Sequence, residues 1–301
     1  MKKNLMLTGA TGFLGSHFAR RIDLRHYQTH LFSRHANPAR NISTMDLTVF
    51  SGLQKLVADI EADVIVHLGG LVNLTRDFDV AKKCIDANIL GTLNLLEATR
   101  GHAPKLFIYV STEEVYGDAS IPYKEETSLT HPPSPYAMTK LAGEHICSMY
   151  GKYFGFSVLI LRVSTMYGPG ETEKRFIPSI IMKALHGKEI PLNSGKKLRD
   201  YIFVEDVVDA LLACLDWSDR KNSAIVNIGG GKSYTLKSVV EKIVKLCQST
   251  SSIRYGAFPD RVLESDVWNM DITRAKKILH WVPKTPLEAG LLKTIEYYKD
   301  K

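Results

Sequence analysis

The sequence predicts an α/β protein: a doubly wound parallel sheet of the Rossmann type, followed by a smaller C-terminal lobe. Three observations carry this expectation. Short apolar runs alternate with helix-period stretches through the first half of the chain. A glycine-rich turn, Thr8-Gly-Ala-Thr-Gly-Phe-Leu-Gly15, joins the first run to the first helical stretch. After Tyr167-Gly-Pro-Gly170 turn formers multiply and the segments shorten, as in Pro191-Leu-Asn-Ser-Gly195 and Gly229-Gly-Gly231. With 301 residues, 45% of them apolar and 24% charged, the chain has enough material for one large sheet domain and a lesser lobe.

Residues 4–8 are apolar and end at the glycines, so they read as a first strand. A helix follows from Phe13. Residues 29–33 form a second strand, Phe50–Ile60 a helical stretch, and residues 64–68 a third strand. The pattern continues with a helix over 81–99, a strand over 106–110, a helix over 136–153 and a strand at Val158–Val163. Apolar runs of this length, separated by helical periods, imply a parallel sheet covered on both faces. The boundary is placed at 1–169 for the nucleotide-binding domain and 170–301 for the substrate lobe, with some later segments returning to the main domain.

Composition excludes several classes. The net charge of +7 comes from scattered Lys and Arg with no long basic run, which argues against nucleic acid and suits an anionic small substrate. The four cysteines are far apart with no C-x-x-C pair, as expected of thiols in a reducing compartment. Lys2-Lys3 precede only a short run that leads straight into the glycine loop, so the start reads as a strand and not a signal peptide. No run approaches the roughly 20 apolar residues that span a membrane. A cytoplasmic location without a membrane partner is expected. His67 and the other histidines lack metal-ligand spacing, so no metal is expected.

Gly9, Gly12 and Gly15 stand where a strand gives way to a helix. Glycine there permits a tight turn and lets the backbone approach a pyrophosphate, while the first helical N–H groups face the anion. Thr11, Phe13 and Leu14 share this dinucleotide-binding turn. The second strand ends Phe32-Ser33-Arg34, where an NAD site usually carries an acid. A guanidinium at Arg34, aided by Ser33, suits a 2′-phosphate, so NADP(H) is favoured and NAD(H) remains possible. Further on, Tyr136 and Lys140 lie four residues apart, on one face of a helix, where a phenol and an ammonium reach the same reacting atom. A neighbouring cation favours the phenolate, bringing proton exchange nearer neutrality.

With Val110-Ser-Thr-Glu-Glu-Val-Tyr-Gly117 added, the chain resembles the extended short-chain dehydrogenase/reductase family, particularly its nucleotide-sugar epimerases, dehydratases and reductases. The resemblance runs nearly the whole length. It includes the glycine loop, Asp46-Leu47, His67-Leu-Gly-Gly70, Asn88-Ile-Leu-Gly-Thr92, Tyr136-Ala-Met-Thr-Lys140, Arg162 to Gly170, and Arg199-Asp-Tyr-Ile-Phe-Val-Glu-Asp206. It implies that Asp46, Leu47, Leu68, Gly69, Gly70 and Asn88 line the cofactor. Thr112 would hydrogen-bond the sugar oxygen, with Ser111 the lesser candidate. Tyr136 would be the acid/base, and Lys140 would hold the nicotinamide ribose and lower the tyrosine pKa. Arg199 and Arg261 would contact the nucleotide diphosphate, Thr165 takes the place of a frequent asparagine, and Phe176 begins the element walling the nucleoside. A homodimer through two helices per subunit, one of them carrying Tyr136, is also implied.

Glu113 and Glu114 bear on the reaction. Family dehydratases carry Thr-Asp-Glu here, whereas this chain has Thr-Glu-Glu, and one added methylene can misplace a general acid by about 1 Å. Together with Arg34, this favours an NADPH-dependent reductase acting on a keto group, C4 by analogy, of a nucleotide-linked deoxysugar. The alternatives are an NAD-dependent nucleotide-sugar 4-epimerase or 4,6-dehydratase, and a non-catalytic NADP-binding redox sensor.

Overall fold

A computed structural model of the chain describes residues 2–127, 129, 131–217, 223–261 and 264–299. Its centre is a seven-stranded sheet built from β1 (Lys3–Thr8), β2 (Tyr27–Ser33), β3 (Ile42–Thr44), β4 (Val64–His67), β5 (Leu106–Thr112), β6 (Val158–Val163) and β10 (Ala224–Ile228). The spatial order is β10-β6-β5-β4-β1-β2-β3, with every neighbouring pair parallel. Alternate side chains feed two cores. Leu5, Leu7, Val64, Val66, Ile108, Leu159 and Leu161 face one side, against α1 (Phe13–Arg21) and α7 (Val204–Leu215). Met6, Ile65, Phe107, Tyr109, Val158 and Ile160 face the other, against α2 (Phe50–Ile60), α4 (Gly91–Thr99) and α5 (Pro135–Phe154). Such two-sided burial is why these strands read as unbroken apolar runs.

One expected helix differs. The stretch predicted over 81–99 divides into α3 (Phe78–Cys84), a π-helical turn (Ile85–Leu90) and α4. The Asn88 side chain in that turn donates to Leu71 O and Thr139 Oγ1 and accepts from Leu71 N, contacts between segments that no local periodicity records.

The C-terminal lobe has its own core. A three-stranded sheet of β7 (Thr165–Tyr167), β9 (Leu198–Phe203) and β11 (Ser233–Thr235) and a pair, β8 (Ile190–Pro191) with β12 (Ile253–Arg254), accompany α6 (Phe176–Leu185), α8 (Leu236–Leu246) and α10 (Leu287–Lys299). Ile177, Ile181, Phe203, Val240 and Leu291 pack at its centre. The returning segments include α7 on α1 and β10 on β6, so the main sheet is completed well beyond residue 169, and α9 (Thr273–Ile278) packs near β10. Among the described residues no helix is long and apolar enough to cross a membrane.

Candidate active site

The C-terminal ends of β1, β4, β5 and β6 gather the predicted residues at one edge of the sheet, where open α/β folds bind ligands. Gly9 has φ +74°, and a Cβ on Gly15 would lie 2.1 Å from Gly9 O. The loop is thus folded too tightly for side chains at these two positions. Gly12 forms the N-terminus of α1 with no side-chain cap, leaving N–H groups for a phosphate. A Cβ on Gly9 would meet Gly69 N at 2.8 Å, so Leu68, Gly69 and Gly70 lie alongside the loop, and Leu47 borders Gly69. Thr11 is exposed at the mouth, Phe13 half-buried and Leu14 buried. These residues fit a dinucleotide, because the cradle is one that added Cβ atoms would close.

Two cofactor expectations change. The Ser33 hydroxyl donates to His35 O at 2.5 Å and accepts from His35 N, so it serves a local turn. Arg34 is exposed and acts electrostatically on Asp46, whose carboxylate is held below the usual range mainly by hydrogen bonds from Thr48. An acid therefore does stand at this end of the sheet, supplied by the segment after β3 and not by β2. Asn88 was expected to line the cofactor, but its amide is committed to Leu71 and Thr139.

The residues expected to react stand on β5 and α5. Thr112 ends β5, accepts from Glu114 N at 3.3 Å, and its hydroxyl lies near enough to the Tyr136 phenol to favour the ionised form. Ser111, the other hydroxyl considered, donates to Glu144 Oε1 at 2.5 Å and is buried away from this pair. Ser134 caps α5 by accepting from Ala137 N, with Pro135 in the first turn, and its hydroxyl donates to Glu114 Oε2 at 3.2 Å. One residue thus sets the start of the catalytic helix and holds a carboxyl next to it. The Ser-Pro pair ahead of Tyr136 is a helix-start signal that could have drawn attention to Ser134.

Electrostatics correct the role given to Lys140. Burial raises the Tyr136 phenol above its ordinary value, Glu114 raises it further, and Thr112 and Arg175 oppose them. The Lys140 ammonium lies 3.9 Å from the Tyr109 ring centroid, and burial lowers it to about 8. The lysine is on the expected face, but its charge rests on an aromatic ring and direct lowering of the tyrosine is not its main effect here. Arg175, half-buried at the start of α6, is a site cation that local sequence did not flag.

The two glutamates separate. Glu114 is pushed up to about 7 by burial, beside Ser134. Glu113 accepts from Thr165 Oγ1 at 2.7 Å, and its other oxygen has no hydrogen-bond partner among the described residues. Burial, with Asp200 nearby, raises its carboxyl well above the usual range.

Arg199 is buried, stacked 4.1 Å from the Trp268 ring centroid and paired with Glu264 at 3.1 Å. Arg261, exposed, reaches the same carboxylate at 4.0 Å, and so does Lys197 at 3.8 Å. Lys197 also lies 3.8 Å from Asp266 and donates to Arg261 O and Glu264 O, which leaves the two guanidiniums of Arg199 and Arg261 as the groups suited to phosphate oxygens. Phe176 opens α6 and packs on the lobe core. Among the described residues no cluster could hold a metal ion.

The model of the NAD dependent epimerase/dehydratase family matches residues 5–229. An uncharacterised UDP-glucose epimerase of Bacillus subtilis is 31% identical over 97% of this chain and 97% of its own length. A dTDP-glucose 4,6-dehydratase of Neisseria gonorrhoeae is 29% identical over 99% of this chain and 96% of its own. A trifunctional plant protein of Arabidopsis thaliana, a UDP-glucose 4,6-dehydratase, 3,5-epimerase and reductase, is 30% identical, and this chain spans 47% of its length. Among solved structures, the UDP-glucuronic acid 4-epimerase of Bacillus cereus, in complex with UDP-glucuronic acid and NAD, superposes with a TM-score of 0.89 at 26% identity, covering 99% of both chains.

Proposed function

The chain belongs to the NAD-dependent epimerase/dehydratase family, within the extended short-chain dehydrogenases/reductases, and from that premise we propose that it inverts C4 of a nucleotide-diphosphate sugar, using NAD. The observation that carries this reading is the Thr112–Tyr136 hydroxyl pair, beside the glycine cradle, with one ionisable carboxyl, Glu114, next to the phenol. Glu113, tied to Thr165 on the wall, is poorly disposed to act with it as a second acid/base on one carbon.

The residues divide the work as follows. Arg199 and Arg261 hold the diphosphate, with Glu264 giving way to phosphate oxygens. Thr112 hydrogen-bonds the C4 oxygen and lines it up with Tyr136. The phenol takes the proton from that oxygen and later returns it, while burial excludes water. When bound, oxidised NAD supplies a reversible hydride acceptor and a positive ring that would bring the buried phenol down towards neutrality. Gly9, Gly12 and Gly15 would hold its pyrophosphate, and Lys140 its ribose.

The NADPH-linked reduction suggested by Arg34 draws less support, because the relatives matched over nearly their whole length are an epimerase and a dehydratase, and Arg34 acts electrostatically on Asp46. A second reading, 4,6-dehydratase, is favoured by Glu114 itself: a carboxyl poised at about 7 beside Tyr136 could take a carbon-bound proton. The expected dimer fits the exposed Leu93 on α4 and Met138 and Met149 on α5, with a second copy as the occupant of that face.

The test begins by denaturing purified protein and identifying any released dinucleotide. UDP-glucose, UDP-glucuronic acid and dTDP-glucose are then supplied separately and followed by NMR and mass spectrometry. A product of unchanged mass with inverted C4 supports the epimerase. Loss of one water establishes the dehydratase, and consumption of added NADPH with a keto sugar restores the reductase.

A further inference from the structure

His67 lies at the end of β4 with 1% exposure, and the hydrogen bonds around it admit one tautomer. The Thr92 hydroxyl donates to Asn88 O at 2.6 Å, which uses its single hydrogen. Its 3.1 Å contact with His67 Nε2 therefore requires Nε2–H to donate. Nδ1 of the neutral ring is then an acceptor, so the Thr8 hydroxyl donates to it at 2.7 Å. Thr8 Oγ1 in turn accepts from Gly69 N at 3.0 Å. Burial, aided by Lys140, lowers the imidazole to about 3, so the ring stays neutral across the working range.

The series continues past Thr92. Asn88 carries the carbonyl that Thr92 meets, and its side chain donates to Thr139 Oγ1 at 2.9 Å. Thr139 donates to Tyr136 O at 2.8 Å. Thr8, His67, Asn88, Thr92 and Thr139 are each at most 2% exposed, so water cannot readily replace these contacts. One end of the series is the residue before the glycine loop, and the other is the backbone of the acid/base.

We infer that His67 is a positioning residue, which couples the seating of a dinucleotide on the Thr8–Gly69 wall to the orientation of Tyr136 through Thr92, the π turn at Asn88, and Thr139. The inference rests on the reading of Tyr136 as acid/base, but it names a transmission that the hydride chemistry does not require. The π turn gives it a structural reason: regular helix geometry is abandoned where Asn88 bonds Leu71 on one side and Thr139 on the other.

The test uses His67→Phe, which keeps an aromatic ring and removes both contacts, together with Thr92→Val and Thr139→Val. Two readouts are needed. With whichever of the nucleotide sugars named above the wild type turns over, His67→Phe is expected to lower kcat roughly tenfold to a hundredfold, as small misplacements do, with sugar KM within about twofold. The His67→Phe/Thr139→Val double variant should be no slower than the slower single variant, and His67→Gln, which can donate and accept, should recover part of the rate. Effects on kcat that multiply in the double variant would overturn the coupling.

The second readout is hydrogen exchange with and without NAD. Protection of amides 136–140 on adding NAD should appear in the wild type and vanish in His67→Phe; its persistence in the variant overturns the proposal. If the wild type turns over none of the sugars, the epimerase reading fails while the exchange measurement still decides this one. If His67→Phe does not fold, the Thr92→Val/Thr139→Val cycle and the same exchange comparison decide it.

Discussion

At Tyr136 burial works against the chemistry, raising the phenol while Glu114 adds to the effect. Tyr136→Phe should therefore cost about 10²–10⁴ in kcat while NAD affinity, measured by calorimetry, changes little. Glu114 gives a prediction with a definite sign. Its folded pKa of about 7 lies above the ordinary value of 4.5, so between those values the folded state binds more protons than the unfolded state. The stability it contributes is present below about 4.5 and is lost as pH rises through about 7. Melting temperature should fall over that interval, and Glu114→Gln should flatten the fall. A Glu114→Gln variant whose profile matches the wild type would mean that the carboxyl is not buried as described.

The glycine loop and the catalytic helix are where single elements decide function. A Cβ on Gly15 meets Gly9 O, a backbone atom that cannot swing aside. Gly15→Ala should destabilise by roughly 1–3 kcal/mol in denaturant unfolding and weaken NAD binding at least tenfold. This loop was legible in the sequence, as were most of the strands, because an apolar run buried on both faces leaves a plain mark. The three-residue β3 was too short to leave one. The break at the π turn was invisible, since Asn88 meets Leu71 and Thr139 only after folding. The Tyr136/Lys140 spacing was readable, but where the ammonium would rest was not: Tyr109 belongs to another strand. Arg175 and Glu264 are likewise brought to the site by the lobe, far along the chain from the motifs they serve.

Across the whole molecule, exposed Leu93 and Met149 lie on two adjoining helices of one face, so charges there should reveal whether a second copy covers it. Leu93→Glu with Met149→Glu is expected to convert a dimer to a monomer in sedimentation, with little change in the secondary structure seen by circular dichroism. The same mass in wild type and variant would remove that face from consideration. The late return of β10 to β6 has a different consequence, for how the chain folds. During synthesis, β6 must wait with one edge open until α6 and α7 have emerged. A fragment ending before Ala224 should consequently aggregate through that edge, and supplying residues 204–299 in trans should rescue it. The sheet is finished by the part of the chain that also brings the cations proposed to hold the diphosphate, so on that reading a nascent protein acquires its complete fold and its means of gripping substrate in a single late event.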